Sequence, residues 1–338
     1  HGLRVPNGVD GSQASQHPIP PGTSQDYEFV VDDPGTYWYH PHIDAERQLE
    51  RGLYAPLRVK GGVEPDVAAD RLFVLDDVKL DAYGKLSTVT DEHDVMFGRR
   101  GNVLLVNGRT DLKVDAATSS RERWRFVNVA NGRYFKLELP GHRFLVMAWD
   151  GGPIEQPYEV ESLLMAPGER YEVLVELTGR EGDTLSLRTA HYDRGHGIHR
   201  VEPANLVAVK LGPPAGPPKP LPTRWASVPR IPVDASTPRR AFALREENGG
   251  LEARFSINGE QYPKVTPLTV RNGQVEIWEV QNLTDMDHPF HLHGMFFQVL
   301  DDNLQVPRIA WKDTVNVPHG KTVRLAVRLD PPGHWMFH

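Results

Sequence analysis

A chain of 338 residues with a formal net charge of −7 and no basic block is not built to bind nucleic acid. No apolar run approaches the ~20 residues that span a bilayer, so no membrane segment is expected. With no cysteine, the chain makes no disulfide and offers no thiolate to a metal.

In chain order, His1 and Gly2 come first, and Asp10-Gly11 follows as an acid next to a turn signal. Tyr37-Trp38-Tyr39-His40-Pro41-His42 reads as a strand whose two imidazoles leave one face. Residues 45–53 read as a short helix or turn, and no long helical period follows. Gly61-Gly62-Val63-Glu64-Pro65 marks a first boundary. Asn107-Gly108, Asn131-Gly132, Asn258-Gly259 and Asn272-Gly273 are turn signals, and Pro167-Gly168 precedes a strand. Val173, Val175 and Leu177 alternate with Glu172, Leu174 and Glu176, the period of a half-buried strand. Val323, Leu325, Val327 and Leu329 repeat that pattern near the end.

The run Gly212-Pro213-Pro214-Ala215-Gly216-Pro217-Pro218-Lys219-Pro220-Leu221-Pro222 cannot join a sheet ladder and reads as an extended, semi-rigid linker. These cuts divide the chain into a first domain at 1–62, a second at 63–212, a linker at 213–240 and a third domain at 241–338. The class is all-β, built of antiparallel sandwiches.

Asp287-His288-Pro289-Phe290-His291-Leu292-His293-Gly294 is the densest chemistry in the chain. His291 and His293 share one face of a strand, whereas the spacing of His288 lets it serve a separate site. A single His-x-His is usually a satisfied core or surface pair. Two such pairs, with further histidines at His1 and His338, point to a transition metal, for which imidazole is the common ligand.

These motifs resemble the multicopper oxidases, in particular the bacterial three-domain, laccase-like branch. His1-Gly2-Leu3 looks like the end of the family's first motif. His40-Pro41-His42 is similar to the second, and His288-Pro289-Phe290-His291-Leu292-His293 to the third in full. Gly333-His334-Trp335-Met336-Phe337-His338 looks like the approach to the fourth. The resemblance implies three cupredoxin-like Greek-key β-sandwich domains, the first and last incomplete. It implies four coppers in the parent protein: one blue copper and a three-copper cluster. His42, His293 and His338 would hold one copper of the coupled pair, His1 and His40 the other, His291 the third cluster copper, and His288 the blue copper. The blue-copper cysteine is absent, so the 338 residues alone are expected to be colourless with copper, inactive and prone to aggregate. Asp10 would help proton delivery from outside the ligand shell; a plain turn is its alternative.

The implied reaction couples one-electron oxidation of phenols, aromatic amines or metal ions to four-electron reduction of dioxygen to water. The implied protein is a monomer, periplasmic or secreted. A metallo-oxidase of cuprous, ferrous or manganous ions is the second reading. A copper-free structural protein on the same fold is a third, and a two-domain nitrite reductase fits less well. Asp285, Asp287, Asp301 and Asp302 read as solvated loop acids, with a role beside His288 as the alternative. Asp313 is expected near that same site. Met286 and Met295 read as packing. His191, His196 and His199 read as a solvated loop, and His17, His93, His142, His319 and His334 as structural or surface residues.

Overall fold

The computed structural model describes all residues except 63, 197–199, 202, 217, 223 and 224. Strands dominate, as the period-two patterns require. The middle of the chain forms a sandwich of a six-stranded and a five-stranded sheet. The six strands run in the order Val103–Val106, Ala69–Val78, Ser120–Asn128, Arg170–Leu177, Phe144–Trp149 and Gly152–Val160. Ala69–Val78 lies parallel to Ser120–Asn128, and Ala204–Gly212 parallel to Leu112–Ala117. Such parallel neighbours need crossover connections, as Greek-key sandwiches have. Phe73, Trp124, Phe126, Phe135, Phe144, Val173 and Val209 fill the space between the two sheets.

The last part of the chain forms a five-stranded sheet and a pair, His288–His291 with Thr314–Val317. Phe242, Trp278, Phe290, Phe297 and Leu325 make its core. The first part contributes the antiparallel pair Gly35–Tyr39 and Ala55–Val59, with helix Ala45–Glu50 between them. That helix stops short of the expected residue 53 because Gly52 takes a positive φ of 79°. At Asn107-Gly108 (φ 52° and 72°) and Asn258-Gly259 (55° and 79°) both residues are left-handed, the requirement of a tight hairpin turn.

One strand departs from the half-buried reading. In Arg170–Leu177 the alternate residues Glu172 and Leu174 are buried as well as Val173, Val175 and Leu177. Two other parts of the chain cover the strand's second face. Glu172 accepts from Thr36 Oγ1 of the first domain at 2.6 Å and from Arg123 Nε at 3.0 Å, and also pairs with Arg125. Arg125 turns its other edge to Asp70 at 2.7 Å. Buried ion pairs of this kind fix register and orientation more than they add stability. Leu174 packs against Met147 and against Trp225, which follows the proline run. Arg121 Nη1 donates to the Lys219 carbonyl at 2.6 Å. Lys219, Leu221 and Trp225 therefore lie along the sheet as a strap.

Trp225 is 3% exposed. Trp225→Ala should lower unfolding stability by about 3–5 kcal/mol, the usual cost of emptying a buried aromatic site. Denaturant unfolding followed by circular dichroism checks it; a change within 0.5 kcal/mol would show that the strap is peripheral.

Candidate metal centre

The histidines are brought together by backbone pairing. Met336 to His338 run antiparallel to His291–His293: His291 N donates to the His338 carbonyl at 2.7 Å, His338 N to the His291 carbonyl at 2.9 Å, and His293 N to the Met336 carbonyl at 2.9 Å. This pairing sets His338 beside His293, with their Nε2 atoms 3.4 Å apart. His42 completes the group. The three residues offer ligand atoms that all lie within 4.8 Å of one another.

The His40-Pro41-His42 stretch differs from the strand reading. The strand ends at Tyr39, whose partner is Ala55. Pro41 has no N–H to continue a ladder. The two rings still stack, with centroids 5.1 Å apart. His40 also lies 5.2 Å from the His1 ring, and the indole of Trp38 stacks on both, 4.5 Å from His1 and 4.6 Å from His40. The main-chain nitrogen of His1 donates to the Trp38 carbonyl at 2.7 Å. On its other side His1 stacks on His291 at 3.8 Å. His1, His40, His42, His291, His293 and His338 thus form one continuous group of rings. His288, three residues from His291, leaves the opposite face of their shared strand; its Nε2 meets Thr284 Oγ1 at 2.9 Å and its ring lies 5.9 Å from Phe255.

The donor set suits a metal. Nδ1 of His40 faces the Pro41 carbonyl at 3.0 Å, Nδ1 of His291 the Asp313 carbonyl at 2.9 Å, and Nδ1 of His293 the Asp10 Oδ1 at 3.1 Å. A carbonyl or carboxylate only accepts, so each Nδ1 carries its proton and each Nε2 keeps a free lone pair. The Nε2 atoms of His293 and His338 face each other across 3.4 Å, and a cation between them would take a lone pair from each. Two nitrogens each ~2.0–2.1 Å from one tetrahedral ion are separated by roughly that distance. Burial, with neighbouring positive charge, pushes the His40 imidazole down to about 2, His42 to about 4 and His338 to about 3, and holds His291 well below its ordinary value. All four are neutral near pH 7, the form that binds metal.

Asp10 stands directly behind His293. Burial works to raise its pKa, but the hydrogen bond from His293, aided by Ser12, outweighs it and holds the carboxyl below its ordinary value. An ionised partner at Nδ1 makes an imidazole a stronger ligand.

Asp313 is not beside His288. In the register His288↔Val317 and His291↔Thr314, Asp313 falls at the His291 end. It is 1% exposed, with Oδ1 3.4 Å from His291 Nδ1 and 3.9 Å from His1 Nδ1. His1, His291 and Asp313 form a second group of potential ligand atoms. A third among the described residues, Asp91, His93 and Asp94, is already neutralised by Lys79 Nζ at 2.7 and 2.8 Å.

Asp287 also departs from the solvated-loop reading. It is 3% exposed and accepts from Asn316 Nδ2 and from both His319 N and Nδ1, each at 2.9 Å, and from the Tyr192 hydroxyl. The middle domain reaches across here: Asp287 N donates to the Arg194 carbonyl, and Gly195 bridges Met286. His196 pairs with Asp285 through Nδ1, so this histidine is tied down; His199 lies outside the described residues. Asp301 caps its own loop and Asp302 pairs with Arg324 on the surface, as loop acids do. Met286 and Met295 are buried in apolar clusters. Arg170, Gly168 and Trp38 were missed as neighbours of the group, although the charged Lys312-Asp313 inside an apolar stretch and Glu169-Arg170 heading a buried strand are signals of buried pairs.

Models of the multicopper oxidase family match residues 1–63, 79–195 and 235–338. The chain is 31% identical to the multicopper oxidase MmcO of Mycobacterium tuberculosis, an alignment covering all of this chain and 72% of that protein. The structure matches that of the Campylobacter jejuni multicopper oxidase, a metallo-oxidase, with TM-score 0.85 and 29% identity, over all of this chain and 75% of that one. It matches the laccase-like multicopper oxidase CueO of Ochrobactrum sp., which has oxidase activity towards lignin model compounds, with TM-score 0.83 and 27% identity, over all of this chain and 80% of that one. Those matches cover the rings, strands and sandwiches described above, and the chain belongs to the multicopper oxidases.

Proposed function

We propose that the protein is a laccase-like oxidase that takes single electrons from phenols, aromatic amines or metal ions on its His288 side and delivers them to dioxygen at the six-histidine group. The observation that carries this reading is the convergence of His42, His293 and His338, from opposite ends of the sequence, with their ligand atoms within 4.8 Å. Bound copper supplies the electron transfer and the four-electron reduction of dioxygen to water. The protein's residues hold and orient. Pro41, Asp313 and Asp10 fix the Nδ1 protons of His40, His291 and His293 and so aim each Nε2 inward. Asp10, ionised and next to the group, is placed to pass protons toward oxygen as it is reduced. His288 and His291 sit on opposite faces of one four-residue strand, so the blue copper and the cluster would be held on either side of it.

A second reading, oxidation of metal ions, is favoured by the acids near His288. Burial first, then the charge of Asp285, raises the pKa of Glu246, so these two carboxylates and His196 share one field. We place the protein in the periplasm or outside the cell, as a monomer, with dioxygen and a small reductant as its partners; cell fractionation and sedimentation test this.

In the copper-loaded full-length protein, oxygen uptake should show a higher kcat/KM with a simple phenol than with cuprous ion. The reverse order would make it a metallo-oxidase, and no copper binding at all would leave the structural-protein reading. His293→Ala should remove copper from the His42–His338 position, measured as bound copper per chain; unchanged content would sink the assignment. Asp10→Asn should slow oxygen reduction more than reduction by substrate in stopped-flow traces, whereas equal rates for both steps would reduce Asp10 to a turn residue. Residues 1–338 alone contain no cysteine. Loaded with copper they should be colourless and inactive on phenols, because a blue centre requires a thiolate; steady oxygen consumption by that form would overturn this account.

A further inference from the structure

We infer that Arg170, a side chain of the domain that carries none of the six grouped histidines, is the positioning residue for the His1–His291 side of the group. This rests on the copper-binding reading above. Arg170 is 0% exposed, and its guanidinium has five N–H donors. All five are used. Nε donates to the Thr36 carbonyl at 3.1 Å, Nη1 to the Gly168 carbonyl at 3.2 Å and Asp313 Oδ1 at 2.7 Å, and Nη2 to the Asp150 carbonyl at 2.8 Å and Asp313 Oδ2 at 2.6 Å. One planar fork therefore joins the first domain at Thr36, the middle domain at Asp150 and Gly168, and the third domain at Asp313.

Asp313 passes that constraint on. Thr314 Oγ1 donates to Asp313 Oδ1 at 2.7 Å and lies 3.0 Å from His291 Nδ1 and 3.4 Å from His1 Nδ1. The main chain closes on the pair at Gly2 and on the His1 ring at Gly168. A Cβ on Gly2, just after His1, would fall 2.1 Å from Arg170 Nη2 and 2.6 Å from Asp313 Oδ2. A Cβ on Gly168 would fall 2.9 Å from His1 Cε1. The Arg170–Asp313 pair is thus wedged between the backbone that carries His1 and the strand that carries His291. A pair kept only for stability would be replaceable by apolar residues of similar volume. What apolar residues cannot reproduce, and lysine cannot either, is the bidentate plane that sets the tilt of Asp313. Among the described residues, no hydrogen bond joins the His42, His293 and His338 position to Arg170, so it serves as an internal control.

The test uses the full-length protein, cupric ion as the probe, and the variants Arg170→Lys, Asp313→Asn and Gly2→Ala. Occupancy at each position is read by anomalous scattering from copper-titrated crystals, with circular dichroism as a check of folding. Arg170→Lys should weaken copper held at His291 by roughly 10–100-fold, the usual cost of losing a partner behind a ligand, and leave the His42–His293–His338 copper unchanged. Gly2→Ala crowds the pair and the backbone that carries His1 together, so Asp313→Asn, which breaks the charged fork alone, should give the same selective loss even if Arg170→Lys fails to fold. Equal affinity at both positions in the folded variants would overturn the inference, as would parallel loss at both positions, which would mean a general structural role. A wild-type protein with no copper at either position would overturn the copper reading itself, and this inference with it.

Discussion

Two main-chain hydrogen bonds between His291 and His338, at 2.7 and 2.9 Å, hold the rest of the centre in place. Because they are backbone bonds in an antiparallel pair, they fix side-chain facing as well as distance. His291 and His293 leave one face, and His338 arrives beside them. His42 and Asp10 need only approach from the first domain. The ladder fixes where the backbones of His291, His293 and His338 lie, and contacts at Nδ1, such as Asp10 behind His293, then hold the rings.

The middle domain shapes the centre without lending it a ligand. Its strand Arg170–Leu177 is buried on both faces, one against its own sandwich and the other against the first domain and the strap that carries Trp225. A sheet with two buried faces cannot slide against its neighbours without exposing charged residues such as Glu172 and Arg125. The Tyr192 to His196 segment makes a second junction, pairing with the residues just before His288. The domain with no grouped histidine thus touches both the His288 side and the His291 side of one short strand.

Much of the site was legible in the sequence because strand periodicity converts spacing directly into facing. His288 and His291 needed no tertiary information beyond that rule, and the Asn-Gly turns at 107 and 258 carried their own backbone demand; His293 lies past the last residue of the strand and is held by its bond to the Met336 carbonyl. What escaped was whatever depends on register between distant strands. Asp313 moved from the neighbourhood of His288 to that of His291 because the pairing with Thr314–Val317 runs antiparallel, and spacing alone does not give direction. Asp287 looked like a surface acid because its partners, Tyr192, Asn316 and His319, come from elsewhere in the chain. Pro41 ended a strand that its aromatic neighbours had suggested would continue. The second buried face of Arg170–Leu177 was invisible for a related reason: the cover comes from another domain, and alternation within the strand reports only the nearest core.

The separation of the ring-bearing segments in sequence has a consequence for how the protein is made. The contact between Asp10 and His293 spans 283 residues and that between His1 and Thr314 spans 313. Contacts of such high sequence separation form late, after the loops between them have been closed at an entropic cost. In a nascent or half-folded chain, therefore, the segments that carry His1, His42, His293 and His338 lie apart, and an ion meets at most a local pair such as His40 and His42 or His291 and His293. The complete set of donors exists only once the distant ends of the chain have met, which ties full metal affinity to the finished fold.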